Sequence, residues 1–466
     1  MAERRRGGRA RPAVTSGPRW VAFEVLRAVE DADAYANLVL PARIREAGLD
    51  ARDAGLATEL AYGTLRRREY YDRIIAIAAG RELSAIDPSA LDLLRLGTHQ
   101  LLSTRIPTHA AVQETVALVR KDSARGFVNA VLRRIAATEP EAWREELIGA
   151  AGSGEEALAI EHAHPLWVVR ALRQVLVAEG REEELESLLA ADNVPAPVAL
   201  TALPGLAEPA ELGGRPGVLS PVAAVLAGGD PAEVPAVAAG RARVQDEGSA
   251  FAALLLSRAR PIEPGERWLD LCAGPGGKAA LLAAEAALGG AELTANELSP
   301  HRAGLVRAAL RVFGAAAPKV VEADGTSWAQ RAPRAFDRIL LDAPCTGLGA
   351  LRRRPEARWR KQPSDVAGLG ATQSRLLDAA VGALKPGGLI AYVTCSPHVA
   401  ETKAIVGAAL RRHPGLRVVD TQPVARAVAA EPIDLATGTH VQLWPHRHGT
   451  DAMFIQLLTV EPDPAP

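Results

Sequence analysis

Three cysteines, Cys272, Cys345 and Cys395, are all that the 466-residue chain carries. They are too few and too far apart for a disulfide framework or a zinc site of paired cysteines. No bound metal is expected. No stretch approaches the roughly 18 uninterrupted apolar residues that a membrane span requires, and Met1-Ala-Glu-Arg-Arg-Arg is not followed by an apolar signal segment. A cytoplasmic chain with no membrane partner is therefore expected, and a monomer. No internal repeat is visible, and the formal net charge is only −1, so a nucleic-acid partner would have to be met by local basic patches rather than by overall charge.

Such patches are present. Residues 1–19 hold six arginines against Glu3 alone, and Arg352-Arg353-Arg354 with Arg358-Trp359-Arg360-Lys361 forms a second block. A solvated charged surface is the default for either block taken alone, yet together they suit contact with phosphates. The composition, 48% hydrophobic and 23% charged, is that of a globular protein. The length exceeds what one core normally serves, so two or three domains are expected.

The expected division runs 1–19, a disordered basic tail; 20–138, an all-α module; 139–240, a connecting region with a small α+β subdomain; and 241–466, an α/β domain. In the second segment Asp87-Pro88 is a helix start, N-cap then first-turn proline, and Leu91, Leu94 and Leu101 follow at near-helical spacing. Val112, Val116 and Val119 mark a second apolar face, and Val128, Val131, Leu132 and Ile135 a third. From Arg243 the pattern changes to short β-rich runs between helical stretches. Arg267 to Cys272, Ala291 to Asn296, Lys319 to Ala323, Phe336 to Leu341 and Leu389 to Thr394 read as buried strands. Alternation of this kind predicts a parallel sheet with helices on both faces.

The run Trp268-Leu-Asp-Leu-Cys-Ala-Gly-Pro-Gly-Gly-Lys278 ends a strand and opens a helix. Its glycines Gly274, Gly276 and Gly277 allow a tight turn and close approach to a ligand. About 20 residues further, at the end of the next strand, stands Glu297, where a carboxylate can accept both hydroxyls of a ribose. A nucleoside-containing cofactor follows. The loop is not the G-x-G-x-x-G of nicotinamide enzymes, and two further acidic residues, Asp324 and Asp342, close the third and fourth strands. That arrangement suits S-adenosylmethionine better. For Asp324 the plainer reading, a turn residue before Gly325, ranks below a cofactor contact in this company.

Two motifs carry reactive chemistry, Asp342-Ala-Pro-Cys-Thr-Gly347 and Thr394-Cys-Ser-Pro397. A lone buried cysteine is usually a small hydrophobe, but two at successive strand ends beside a cofactor loop point elsewhere. Carbon 5 of cytosine is too weak a nucleophile to take a sulfonium methyl unaided. A thiol that adds to carbon 6 supplies the missing electron density, provided the site favours the thiolate over its usual pKa of about 8.5. Asp342 could stabilise the protonated ring nitrogen, and a second cysteine could assist the later elimination.

The combination Cys-Ala-Gly-Pro-Gly-Gly-Lys, Asp-Ala-Pro-Cys-Thr-Gly and Val-Thr-Cys-Ser-Pro closely resembles the Sun family of RNA 5-methylcytosine methyltransferases. The resemblance extends to Val244-Gln-Asp-Glu-Gly-Ser249 and Leu443-Trp-Pro-His-Arg-His-Gly-Thr-Asp451. Towards the N-terminus, Glu59-Leu-Ala-Tyr-Gly-Thr-Leu-Arg66, Pro107-Thr-His-Ala-Ala-Val-Gln-Glu114 and Gly126-Phe-Val-Asn-Ala-Val-Leu-Arg-Arg134 resemble the NusB-type helical RNA-binding module. The two together are similar to the RsmB branch. The resemblance implies a NusB-like domain before a Rossmann-like class I methyltransferase, S-adenosylmethionine as cofactor, and small-subunit ribosomal RNA as partner. It further implies that Cys395 attacks the base and Cys345 helps release product, with Asp342 also in the catalytic group. Cys272, Ala273, Gly274, Pro275, Gly276, Gly277, Lys278, Glu297, Asp324 and Asp342 would contact the cofactor. Gly274 stands where the family more often has alanine, read as a harmless gain in backbone freedom. Thr346-Gly-Leu-Gly replaces a commoner Ser-Gly or Ser-Ala continuation, and Ala250 replaces a frequent glutamine. Competing expectations are another RNA such as tRNA as substrate, a protein or small-molecule methyltransferase that leaves both cysteines idle, and a catalytically silent RNA-binding factor.

Overall fold

The computed structural model describes residues 16–32 and 34–462. The expected basic tail falls mainly on residues 1–15, outside the described residues, and helix begins at Pro18. The chain forms two compact units: one takes in the chain to Arg170 with Arg353–Arg360, the other Ala171–Arg352 and Lys361 onward. Among the described residues no helix is long and apolar enough to cross a membrane.

The first unit is helical. Asp87 caps the helix Pro88–Ser103 as its sequence predicts, accepting from the backbone N–H groups of Ser89 at 3.1 Å and Ala90 at 3.3 Å. The apolar stripes of this helix, of Ala51–Arg66, of Arg68–Ala79 and of Asp122–Ala136 close on one core that includes Leu60, Ile74, Leu94, Val128 and Leu132.

The basic block at 352–361 departs from its expected role. Arg358 is fully buried and donates to the carbonyls of Arg66 (3.3 Å) and Ala163 (2.9 Å). Trp359 Nε1 donates to Leu65 O at 2.7 Å, and Arg360 to Val29 O and Ala34 O at 2.8 and 2.7 Å. The last carbonyls of a helix lack intrahelical partners and carry the negative end of its dipole. Arginine, with five donors and no acceptor, satisfies both demands at the ends of Pro18–Asp31 and Ala51–Arg66. Arg352 is buried too, paired with Asp451 at 3.1 Å and Asp246 at 3.7 Å. Arg66 is itself buried, and Arg68 pairs with Glu30 at 2.6 Å. These arginines hold the fold together instead of lying open to phosphates, whereas Arg133 remains exposed.

In the second unit a small antiparallel sheet is built from β1 (Ala199–Ala202), β2 (Arg215–Pro216), β3 (Ala223–Val225) and β4 (Ala242–Val244), in the order β2-β3-β1-β4. The large sheet contains β5 (Arg267–Asp270), β6 (Glu292–Glu297), β7 (Lys319–Glu322), β8 (Phe336–Asp342) and β9 (Leu384–Thr394), the five strands the sequence predicts, and these run parallel. It continues through β10 (Leu416–Val419), β11 (Val441–Gln442) and β12 (Phe454–Val460), which pair antiparallel. The path across the sheet is β10-β12-β9-β8-β5-β6-β7, with β11 on β12. Side chains alternate between the two faces along each strand. Trp268, Leu340, Ala391 and Val393 enter one core with the helix Glu247–Ser257, buried except at Ser249, while Leu269, Ile339, Leu341, Ile390 and Tyr392 enter the other with Leu376 and Leu377 of the helix Pro363–Ala383. Ala250 lies in the first of these cores, fully buried.

Candidate active site

The carboxyl ends of parallel strands are where open α/β sheets bind ligands, and every candidate residue lies on that rim. After β5 the chain turns through Leu271–Gly276 into the helix Gly277–Gly289. Gly276 takes φ 112° at the helix start, and a Cβ built there would stand 2.6 Å from that of Ala309. Only glycine combines that backbone with that approach.

Gly274 serves differently from the backbone freedom expected of it. A Cβ at this position would lie 2.3 Å from Glu297 Oε2; its absence lets the Gly274 N–H donate to that oxygen at 3.0 Å. Glu297, nearly buried at the end of β6, accepts from Ser299 N–H at 3.0 Å through Oε1. Arg302 also pairs with Oε2 at 3.5 Å, and these donors still leave acceptor capacity on a carboxylate that has about four lone-pair sites. Asp324, at the end of β7, is exposed and accepts from Thr326 N–H at 2.9 Å, which holds its carboxyl below the usual range. This is the turn role, at a place still on the rim.

Two residues on the rim escaped the sequence reading. Asn296 donates to Leu271 O (3.0 Å) and Ala323 O (3.2 Å), tying together the ends of β5, β6 and β7. Asp270 is buried and receives no side-chain hydrogen bond, and the Cys272 backbone N–H faces its carboxylate without closing a full one. Burial first, and then the Asp342 charge, push its pKa up to about 8. Its place at the end of β5, inside the quoted cofactor run, was the available signal. A buried carboxyl with idle oxygens calls for a cation or donor. S-adenosylmethionine carries an ammonium and a sulfonium, so the cradle of Asp270, Gly274 and Glu297 fits that cofactor.

The Asp270 shift has a sign that can be measured. The folded state holds this proton to about pH 8, whereas an unfolded Asp releases it near pH 4. The unfolded state therefore binds fewer protons across that window, and cofactor-free protein should lose stability as pH rises from 4 to 8, by at most about 1.4 kcal/mol per unit from this group. Urea titrations at several pH values should show a shallower decline for Asp270→Asn than for the parent chain; equal slopes would refute the assignment.

The reactive groups converge at the ends of β8 and β9, which are paired in parallel with Asp342 opposite Val393. This register places the Sγ atoms of Cys345 and Cys395 3.4 Å apart, with no disulfide between them. The hydrogen bond to Cys395 and then burial push the Cys345 thiol well up, aided by the charges of Glu401 and Asp342. Cys345 therefore keeps its proton. Lys278 Nζ donates to Asp342 Oδ2 at 2.9 Å. Burial opposes the Lys278 charge, but Asp342, and with it a Cys395 thiolate, raise its pKa above the ordinary value; such attraction is mutual, so Lys278 favours the Cys395 anion. Cys272 differs, since burial and then Asp270 push its thiol far up. It lines the loop as a neutral group. The hydroxyl of Thr346, which a serine would also offer, is bonded to Ser396 and Glu401.

Fold and site define a Rossmann-like methyltransferase that uses S-adenosylmethionine. Family profiles match in two places, the NusB family over residues 16–137 and "16S rRNA methyltransferase RsmB/F" over residues 259–459. A putative methyltransferase of Mycobacterium tuberculosis is 50% identical, covering 98% of this chain and 99% of its own. The ribosomal RNA small subunit methyltransferase B of Pseudomonas putida is 36% identical over 86% and 91% of the two chains, and its probable counterpart in Bacillus subtilis 30% over 94% and 97%. The crystal structure of PH0851 shares the fold with a TM-score of 0.77 at 21% identity, covering 96% of this chain and all of the other. The chain belongs to the RsmB/F methyltransferase family and carries that family's NusB domain.

Proposed function

We propose that this chain methylates carbon 5 of a cytosine in 16S, the small-subunit ribosomal RNA, through a covalent bond between Cys395 and the base. The observation that carries the reading is the pair of thiols 3.4 Å apart beside the Lys278–Asp342 ion pair. The names of the Pseudomonas and Bacillus relatives support the RNA target.

Cys395, favoured as an anion by Lys278, adds through Sγ to carbon 6, and the displaced π electrons move toward a ring nitrogen whose protonated form Asp342 stabilises. The Cys272–Lys278 loop, Glu297, Asp324 and Asp342 would hold S-adenosylmethionine, which would supply the methyl group that carbon 5 takes, its sulfonium electron pair leaving with S-adenosylhomocysteine. A water molecule takes the carbon 5 proton, the freed electron pair re-forms the carbon 5–carbon 6 double bond, and the sulfur–carbon 6 bond breaks with its pair returning to Cys395 as the thiolate. Cys345, whose thiol keeps its proton, assists this release by donating a hydrogen bond to the departing Sγ, 3.4 Å away in the structure. A catalytically silent factor would have no use for this pair.

A flipped base offers the pocket one base to read, so residues 20–138 are assigned the placing of the catalytic domain on the RNA, with exposed Arg133 among the contacts. The test of the function is 5-methylcytidine in small-subunit RNA incubated with protein and S-adenosylmethionine. Labelled methyl found in protein instead of RNA would overturn it.

A further inference from the structure

Behind the two thiols lies a fully buried carboxylate that the cysteine chemistry does not use. Glu401 belongs to the short turn after β9. Its Oε1 accepts from Thr346 N–H at 2.8 Å and Gln373 Nε2 at 3.2 Å, and its Oε2 from Thr346 Oγ1 at 2.5 Å and Ser396 Oγ at 2.6 Å. Four donors occupy the roughly four lone-pair sites of one carboxylate. Thr346 directly follows Cys345, and Ser396 directly follows Cys395. Gln373 also donates to Pro344 O at 2.9 Å, on the other side of Cys345. The Glu401 backbone is itself fixed, since Tyr392 Oη donates to its carbonyl at 2.7 Å.

We propose that Glu401 is a positioning residue that sets the separation and aim of both thiols by holding the residue after each on one carboxylate. The inference rests on the two-cysteine reading above and deepens it. A buried carboxylate in contact with four donors is costly to form unless all four are present, so the two loops are fixed in register by a single group. The positional effect of Glu401 passes through the backbone of Thr346 and Ser396, and its charge also helps to keep Cys345 protonated.

Glu401→Gln keeps the shape but turns one oxygen into an NH2 group that must face donors. In the full chain, with a full-length small-subunit RNA transcript as probe, this change is expected to lower kcat about 100-fold, the scale on which small misplacement of reacting groups acts. Affinity for S-adenosylmethionine and KM for the transcript should stay within about threefold, since neither site includes Glu401. Thr346→Val and Ser396→Ala, each removing one hydroxyl donor, should each lower kcat about tenfold with the same binding constants. In a Cys345→Ala background, Glu401→Gln should slow covalent adduct formation by a similar factor. Wild-type kcat in Glu401→Gln would overturn the proposal, and so would kcat losses matched by equal losses of cofactor affinity. If Glu401→Gln does not fold, wild-type kcat in both hydroxyl variants overturns it just as well. Should Cys345→Ala form no adduct while Glu401→Gln still loses kcat alone, the division of labour between the cysteines fails and the positioning role stands.

Discussion

Replacing Cys395 with alanine should abolish methyl transfer, by about four decades or more, and leave no protein–RNA adduct, whereas Cys345→Ala should accumulate an adduct that survives denaturation. The asymmetry is what the proposed division of labour between two thiols 3.4 Å apart requires. Without Cys345 the addition still occurs and the release fails. Denaturing gels of each variant after incubation with small-subunit RNA and S-adenosylmethionine distinguish the two, and adduct from Cys395→Ala with none from Cys345→Ala would reverse the roles.

Removal of the Glu297 carboxylate should weaken S-adenosylmethionine binding by one to two decades, since a charge-assisted hydrogen-bonding group is worth about 1.5–3 kcal/mol. Glu297→Ala loses more than a ribose partner, because the same carboxylate receives the N–H groups of Gly274 and Ser299. The cofactor loop thus loses its anchor along with the ligand contact. Gln at this position keeps an acceptor and should fall between alanine and the parent. Calorimetry measures all three affinities, and unchanged binding by Glu297→Ala would remove the residue from the cofactor site.

The helix start at Asp87, the five parallel strands and both cysteine loops were legible because each is written locally, in a cap, an alternating run or a strand-end motif. Strand β10 was not, since an antiparallel strand added at a sheet edge carries no loop motif to announce it, whereas the run 443–451, which resembles the family's terminal hairpin, is the connection between β11 and β12. Glu401 escaped notice for a related reason. Its partner Thr346 lies on another strand loop, and only the parallel pairing of β8 with β9 brings the two together. The arginines at 352–360 misled in the opposite direction. In a sequence, a run of cations reads as a solvated face, and nothing local reveals that Arg358 and Arg360 meet helix-end carbonyls some 300 residues earlier. Gly274 shows the same limit, its need being set by Glu297 on the neighbouring strand.

The most direct test of the account is bisulfite sequencing of small-subunit ribosomal RNA from cells with and without this protein, complemented by the Cys395→Ala chain. A single cytosine should resist conversion in the presence of the active protein and convert fully in its absence. The Cys395→Ala chain should leave that cytosine unprotected. An identical conversion pattern in all three, with methylation detected elsewhere, would contradict the central claim.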